Sequence, residues 1–145
     1  MKLDKIDFEI IALLEENAKL GNKELAGKIG LTVTPTYERI KRLERIGVIS
    51  GYTAIIDKKK IGLGLKVYCH VSLKAHSSDL ILEFESEVVK LTEISQSYHI
   101  TGDSDYMLVV EVKDMEDYHK FLKLKLASLN NISNVQSTFV MSTLK

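Results

Sequence analysis

The chain has 145 residues, 45% hydrophobic and 28% charged, a balance that fits one ordinary globular domain or two small ones and excludes disorder and collagen-like repeats. No stretch approaches the roughly 20 apolar residues that cross a bilayer, and Met1-Lys2-Leu3-Asp4 meets an acid at once instead of an apolar signal core, so a cytoplasmic protein without membrane contact is expected. The single cysteine, Cys69, excludes an internal disulfide and fits a reducing compartment. Formal net charge is zero, but residues 1–65 hold 12 Lys and Arg against 9 Asp and Glu, and residues 66–145 hold 8 against 11. The N-terminal half is the one suited to a polyanion.

Three helices are predicted there. Leu3, Ile6, Ile10, Leu13 and Leu14 recur at helical spacing, with Asp4, Asp7, Glu9, Glu15 and Glu16 placed mainly elsewhere on the surface. After a break ending at Gly21, Asn22 can cap a short second helix through Leu25, Ala26 and Ile29 that stops at Gly30. The third segment runs from Leu31 to Gly47, with Thr34 as the expected cap, Pro35 in the first turn and Gly47 as the left-handed terminus. At about 100° per residue, Thr36, Tyr37, Ile40 and Leu43 share one arc, and Thr34, Pro35, Glu38, Arg39, Lys41, Arg42 and Arg45 fill the other. One face can pack on the first two helices while the other offers four cations against Glu38, which a helix lying in a DNA major groove requires. Arg42 and Lys41 are expected at bases or phosphates, Arg39 and Arg45 mainly at phosphates, and Thr34 and Tyr37 near the helix start. Arg39 has a structural alternative, a pair with an acid of the first helix. A basic helix face is also what an ordinary solvated helix presents, and helix-turn-helix folds serve protein contacts too.

Val48 to Ile56 is β-rich, and Asp57-Lys58-Lys59-Lys60 with Ile61-Gly62-Leu63-Gly64 forms a connector whose lysines are either a solvated hinge or an extra contact to a DNA backbone. Beyond it, Val67, Cys69, Val71 and Leu73 alternate with Tyr68, His70 and Ser72, as in a two-faced strand. A helix carries Leu80, Ile81, Phe84, Val88 and Leu91. Strands at Ile94 to Thr101 and Tyr106 to Val112 flank a turn at Gly102-Asp103-Ser104, a second helix carries Met115, Tyr118, Leu122, Leu126 and Leu129, and Val135 to Met141 is the last strand. The order βαββαβ is the ferredoxin-like arrangement, with two helices on one sheet face and the other face open to self-association. The predicted class is α+β, an N-terminal winged helix-turn-helix (1–50), a β-containing linker (51–64) and a C-terminal ferredoxin-like domain (65–145).

Leu3-Asp4-x-x-Asp7, Glu24-Leu25-Ala26, Gly30-Leu31-Thr32, Arg39 with Arg42-Leu43-Glu44, Gly47-Val48-Ile49-x-Gly51-Tyr52 and, further on, Thr101-Gly102-Asp103-x-Asp105-Tyr106 occur in the order and spacing of the Lrp/AsnC family, which the chain resembles over essentially its whole length. The hydroxyl of Thr36 departs from that pattern, at an inward-tending position that is commonly small and apolar. The resemblance implies a DNA-binding transcription regulator, pairing of the strand part of 48–56 with its counterpart in a second subunit, and dimers that assemble into octamers. It also gives the 101–106 loop a ligand-binding role, with an amino acid as the expected effector. Gly102 permits close approach, Asp103 and Asp105 can accept from an α-ammonium, and backbone N–H groups of the turn can hold a carboxylate. Thr101, Tyr106, His99 and Thr138 complete the expected effector site, at a subunit boundary. Alternatively Gly102 makes only a hairpin and the two aspartates only cap it.

Enzyme readings are weaker. Cys69 and His70 point to opposite faces and no metal-ligand spacing supports them or His76, while His99 and His119 lack a nucleophile nearby in sequence. No metal, cofactor or catalytic group is expected. Siroheme decarboxylases resemble the family in both domains, but the absence of arginine after residue 65 disfavours binding of tetrapyrrole carboxylates. A stand-alone amino-acid sensor that joins hetero-oligomers without touching DNA is the remaining alternative.

Overall fold

The structure, a computed structural model, describes residues 2–144 and divides into two compact units, the first ending at Ile56 and the second beginning at Asp57. The first contains α1 (Lys5–Glu16), α2 (Asn22–Ile29) and α3 (Val33–Arg45). Helix α1 starts in a capping box: the Asp4 carboxylate accepts the Asp7 N–H at 2.9 Å and the Asp7 carboxylate accepts the Asp4 N–H at 3.0 Å. The cap of α2 is Gly21, so Asn22 is the first helical residue. In α3 the cap is Thr32, two residues before the expected Thr34. Pro35 then falls at the third helical position, where its missing N–H is still one of those with no intrahelical partner. Gly47, at φ +76°, reverses the chain so that the N–H groups of Val48 and Ile49 return to the Leu43 carbonyl.

Ile10, Leu14, Leu25, Ile40 and Leu43 are buried where the three helices meet, each burial stabilising the unit by about 1.5–3 kcal/mol. Thr36 lies fully buried among them, and its hydroxyl donates to the Thr32 carbonyl at 2.9 Å. That bond satisfies the hydroxyl that departs from the family pattern at this inward position. Residues 48–56, expected to contribute strand, form no strand within the chain.

The second unit opens with a 3-10 turn at Lys58–Ile61 and continues β1 (Leu65–Leu73), α4 (Ser78–Val88), β2 (Ile94–His99), β3 (Tyr106–Val112), α5 (Met115–Lys120) and β4 (Ile132–Phe139). Helix α5 runs on through a wide turn at Phe121–Lys125 and a 3-10 turn at Leu126–Ser128. Sheet order is β2-β3-β1-β4, antiparallel throughout, the ferredoxin-like topology. Val67, Cys69, Val71 and Leu73 of β1 and Tyr106, Leu108, Val110 and Val112 of β3 form one core with Phe84, Val88, Tyr118, Phe121 and Leu126. By strand alternation and register, Tyr68, His70, Met107, Tyr98, Gln136 and Thr138 occupy the other face. Three strand ends moved from expectation, one of them the end of β4, at Phe139 instead of Met141. Strand β2 stops at His99, because Ile100 N–H turns to the Asp105 carbonyl, and β4 begins three residues early, at Ile132.

Candidate nucleic-acid interface and effector loop

Helix α3 sorts its polar residues into two sets by what they touch. Thr34, Tyr37, Lys41 and Arg45 are exposed and, at about 100° per residue, share one stripe with Glu38; Tyr37, expected on the inward arc with Thr36, Ile40 and Leu43, is 46% exposed. Lys41 donates to Glu44 at 2.7 Å and sits 5.7 Å from the centre of the Tyr37 ring; Glu44 also accepts the Tyr52 hydroxyl at 2.9 Å. Those hydrogen bonds from Lys41 and Tyr52 hold the Glu44 carboxyl below its ordinary range. Arg45 has no ionic partner among the described residues.

Arg39 and Arg42 belong to the second set. Both were expected on the outward basic arc, and both turn instead to helix α1. One Arg39 nitrogen bridges Asp4 at 2.7 Å and Asp7 at 2.8 Å, and Arg42 donates to the other oxygen of Asp7. Asp7, expected near the surface, is 0% exposed. Burial by itself pushes its carboxyl up, but hydrogen bonds from the Asp4 N–H, Arg39 and Arg42 outweigh that and hold it below the usual carboxylate range. Asp4 is lowered too, first by the Asp7 N–H and then by Arg39. Sequence reasoning anticipated an acid of α1 for Arg39 and missed Arg42. The available signal was Asp4-x-x-Asp7 at capping-box spacing, opposite arginines three apart on α3.

Of the connector lysines, Lys58 pairs with Glu111 at 3.0 Å and Lys60 lies 3.7 Å from Asp57, while Asp57 caps their turn by accepting the Lys59 and Lys60 N–H groups.

Around the 101–106 loop, Gly102 takes φ +124°, a conformation that L side chains rarely adopt. Thr101 and Asp103 are exposed, and Asp103 makes no side-chain hydrogen bond among the described residues. Asp105 is committed within the chain: one oxygen accepts the Leu73 N–H at 2.7 Å and the other meets His76 Nε2 at 2.8 Å. Those two contacts, the backbone one first, hold its carboxyl below the ordinary range. Tyr106 is buried, donates to Glu85 at 2.7 Å and stacks on His99 at 4.6 Å, beside a cavity of about 220 Å³ between α4 and β2. Thr138, however, lies on β4 at the far edge of the sheet from β2 and on the face opposite His99 and Tyr106. The expected effector residues are therefore not gathered in one chain. Sequence reasoning missed Glu85 and His76, which are 21 and 29 residues from their partners.

Cys69 and His70 face opposite sides of β1; the Cys69 sulfur lies 2.8 Å from the Tyr118 hydroxyl, which meets Ser137 at 2.5 Å.

A three-helix unit with an outward polar stripe on its last helix, joined to a split βαβ sheet with a turn exposed at one end, defines a two-part regulator: a DNA-binding module and a ligand-binding module. Comparison with known proteins gives the same division. Residues 3–50 match the winged helix-turn-helix DNA-binding family and residues 66–145 the Lrp/AsnC ligand binding domain. The chain belongs to the Lrp/AsnC family of transcription regulators. It is 37% identical over 143 residues to the DNA-binding transcriptional activator DecR of Escherichia coli, spanning 99% of this chain and 94% of that one. It is 36% identical to the Escherichia coli leucine-responsive regulatory protein, spanning 99% and 87%. Among solved structures, a transcriptional regulator from Neisseria meningitidis in complex with L-Met superposes with a TM-score of 0.95 at 32% identity, covering 99% of this chain and 93% of that one.

Proposed function

We propose that this protein acts in the cytoplasm as a homo-oligomeric regulator that works by binding alone, reading operator DNA with α3 and sensing an amino acid with its C-terminal domain. The observation that carries the DNA reading is the exposed stripe Thr34, Tyr37, Lys41, Arg45, on a different side of α3 from the buried Thr36, Ile40 and Leu43. A helix so packed can enter a major groove about 12 Å wide without losing its own core. Thr34 and Tyr37 are assigned to base edges and Lys41 and Arg45 to phosphates. The Lys41–Glu44 pair is solvent-exposed, and such a pair is weak enough to be exchanged for a phosphate.

One helix reads too few base pairs for specificity, and the open sheet face with Tyr68, Met107 and Tyr98 offers apolar surface for a second copy. A dimer then places two α3 helices on half-sites about 34 Å apart, or a multiple of that. Family membership favours dimers that assemble into octamers. The exposed turn Thr101-Gly102-Asp103 is assigned to the effector, with His99 at its side; Asp105 and Tyr106 shape the turn, and Thr138 is supplied by another subunit. Family membership and the L-Met complex of the Neisseria regulator favour an amino acid. An effector held across subunits shifts assembly and DNA affinity together, because it binds one assembly better than another.

The test is a footprint on the DNA upstream of the protein's own gene, repeated with each of the twenty amino acids, beside calorimetry with the same set. Protection that changes with one class of amino acid is expected. No salt-sensitive duplex binding would sink the DNA assignment, and no heat with any amino acid would sink the effector assignment.

A further inference from the structure

We propose that Asp7 is a specificity-determining residue for DNA, acting by withholding Arg39 and Arg42 from the phosphate backbone. This rests on the assignment of α3 to DNA and deepens it. The charge arrangement is the starting point. Helix α3 carries Arg39, Lys41, Arg42 and Arg45, but Arg39 and Arg42 are both drawn to Asp7, with Asp4 also accepting from Arg39. Both oxygens of Asp7 are filled, Oδ1 by Arg39 and Oδ2 by Arg42 and the Asp4 N–H. Lys41 is balanced by Glu44 at the surface, leaving Arg45 as the α3 cation without an ionic partner among the described residues.

The two kinds of pair differ in how readily DNA can break them. In the Lys41–Glu44 pair the lysine is 54% exposed and the carboxylate keeps 28% exposure, so water replaces the lysine if it leaves. Asp7, by contrast, is 0% exposed, and the Arg42 Nε is buried and without an acceptor among the described residues. Moving Arg42 to a phosphate would leave a buried carboxylate short of its partner, so the pair persists on the duplex. Non-specific DNA binding is almost wholly electrostatic and grows with each phosphate neutralised. Binding to the correct site is useful only as a ratio to binding everywhere else. By removing two guanidinium groups from the set available to phosphates, Asp7 lowers the sequence-independent affinity and leaves discrimination to the exposed stripe. The same contacts fix the angle of α3 against α1, so the residue also positions the reading helix.

The test uses the full chain and two probes: a duplex bearing the footprint upstream of its own gene, and a scrambled duplex of equal length. Asp7→Asn keeps an acceptor for the Asp4 N–H but removes the charge that holds the arginines. Its affinity for the scrambled duplex is expected to rise about tenfold at 0.1 M salt. The slope of log K against log salt should steepen by about one to two, since each added phosphate contact contributes about 0.9, and the operator-to-scrambled ratio should fall. A merely structural role would weaken binding to both duplexes and leave the slope unchanged or shallower; that result overturns the inference. Arg42→Gln gives the same decision should Asp7→Asn fail to fold: an unchanged scrambled-duplex slope is expected, and a slope shallower by about one shows that Arg42 contacts phosphate and overturns it. A wild-type chain that binds neither duplex refutes the DNA assignment itself, a failure distinguishable from both.

Discussion

Asp105, the residue before β3, accepts the backbone N–H of Leu73, the last residue of β1, at 2.7 Å. The bond ties the end of a central strand to the base of the 101–106 turn, and His76 closes the other side of the same carboxylate. Asp105→Ala would leave the Leu73 N–H without that partner and is expected to cost about 1–3 kcal/mol of stability. The folded carboxyl titrates below its ordinary value, so the charged group contributes fully above about pH 4 and loses its contribution as pH falls through the folded value. Urea melts of both proteins at pH 7 and pH 3 should show a gap at pH 7 that narrows in acid. A gap of equal size at both pH values would remove the charge from the account.

Arg45→Ala is expected to weaken binding to all duplexes alike and to lower the salt slope by about one, the behaviour of a phosphate contact. Thr34→Val, at the start of the exposed stripe, should instead reduce discrimination at one position by about 1–3 kcal/mol with an unchanged slope. Titrations of operator and single-base variants at three salt concentrations separate the two. Identical effects from both substitutions would show that the stripe is not divided as assigned.

Tyr68 lies on the open sheet face, opposite Val109 on one side and Thr138 on the other. Sedimentation at micromolar concentration should show a dimer or larger, and Tyr68→Asp should shift it toward monomer while the far-ultraviolet spectrum keeps its shape. A wild-type monomer would count decisively against the proposed use of that face.

Cys69 is fully buried, and burial pushes its thiol up against the opposing hydrogen bonds from Tyr118 and Ser137. An inaccessible, protonated thiol is a poor nucleophile. Labelling with a disulfide reagent is expected to be at least about a hundredfold slower in native buffer than in 8 M urea. Stoichiometric labelling of the native protein within seconds would contradict the burial of this core.

What the sequence determined by itself is what local periodicity and local charge carry. The apolar spacing of Ile10 and Leu14, the alternation of Val67, Cys69, Val71 and Leu73, and the punctuation by Gly30 and Gly47 name the elements and their inward faces, because the 3.6- and 2-residue periods are set by the backbone alone. The cap of α3 lies two residues before the expected one, at Thr32, whose side chain makes no capping hydrogen bond, so the hydroxyl signal at Thr34 did not mark the helix start. The surfaces left over were another matter. Arg39 and Arg42 sit at the margin between the buried and exposed arcs of α3, and nothing local assigns them to either. Their allegiance was decided by Asp7, 32 and 35 residues away, which helix packing brought beneath them. In the same way the sheet order β2-β3-β1-β4 sent His99 and Thr138 to opposite edges, a separation that depends on strand pairing and that no spacing along the chain encodes. Charge on a helix can be counted from residues, but whether a cation meets solvent or a buried carboxylate is a property of the assembled core.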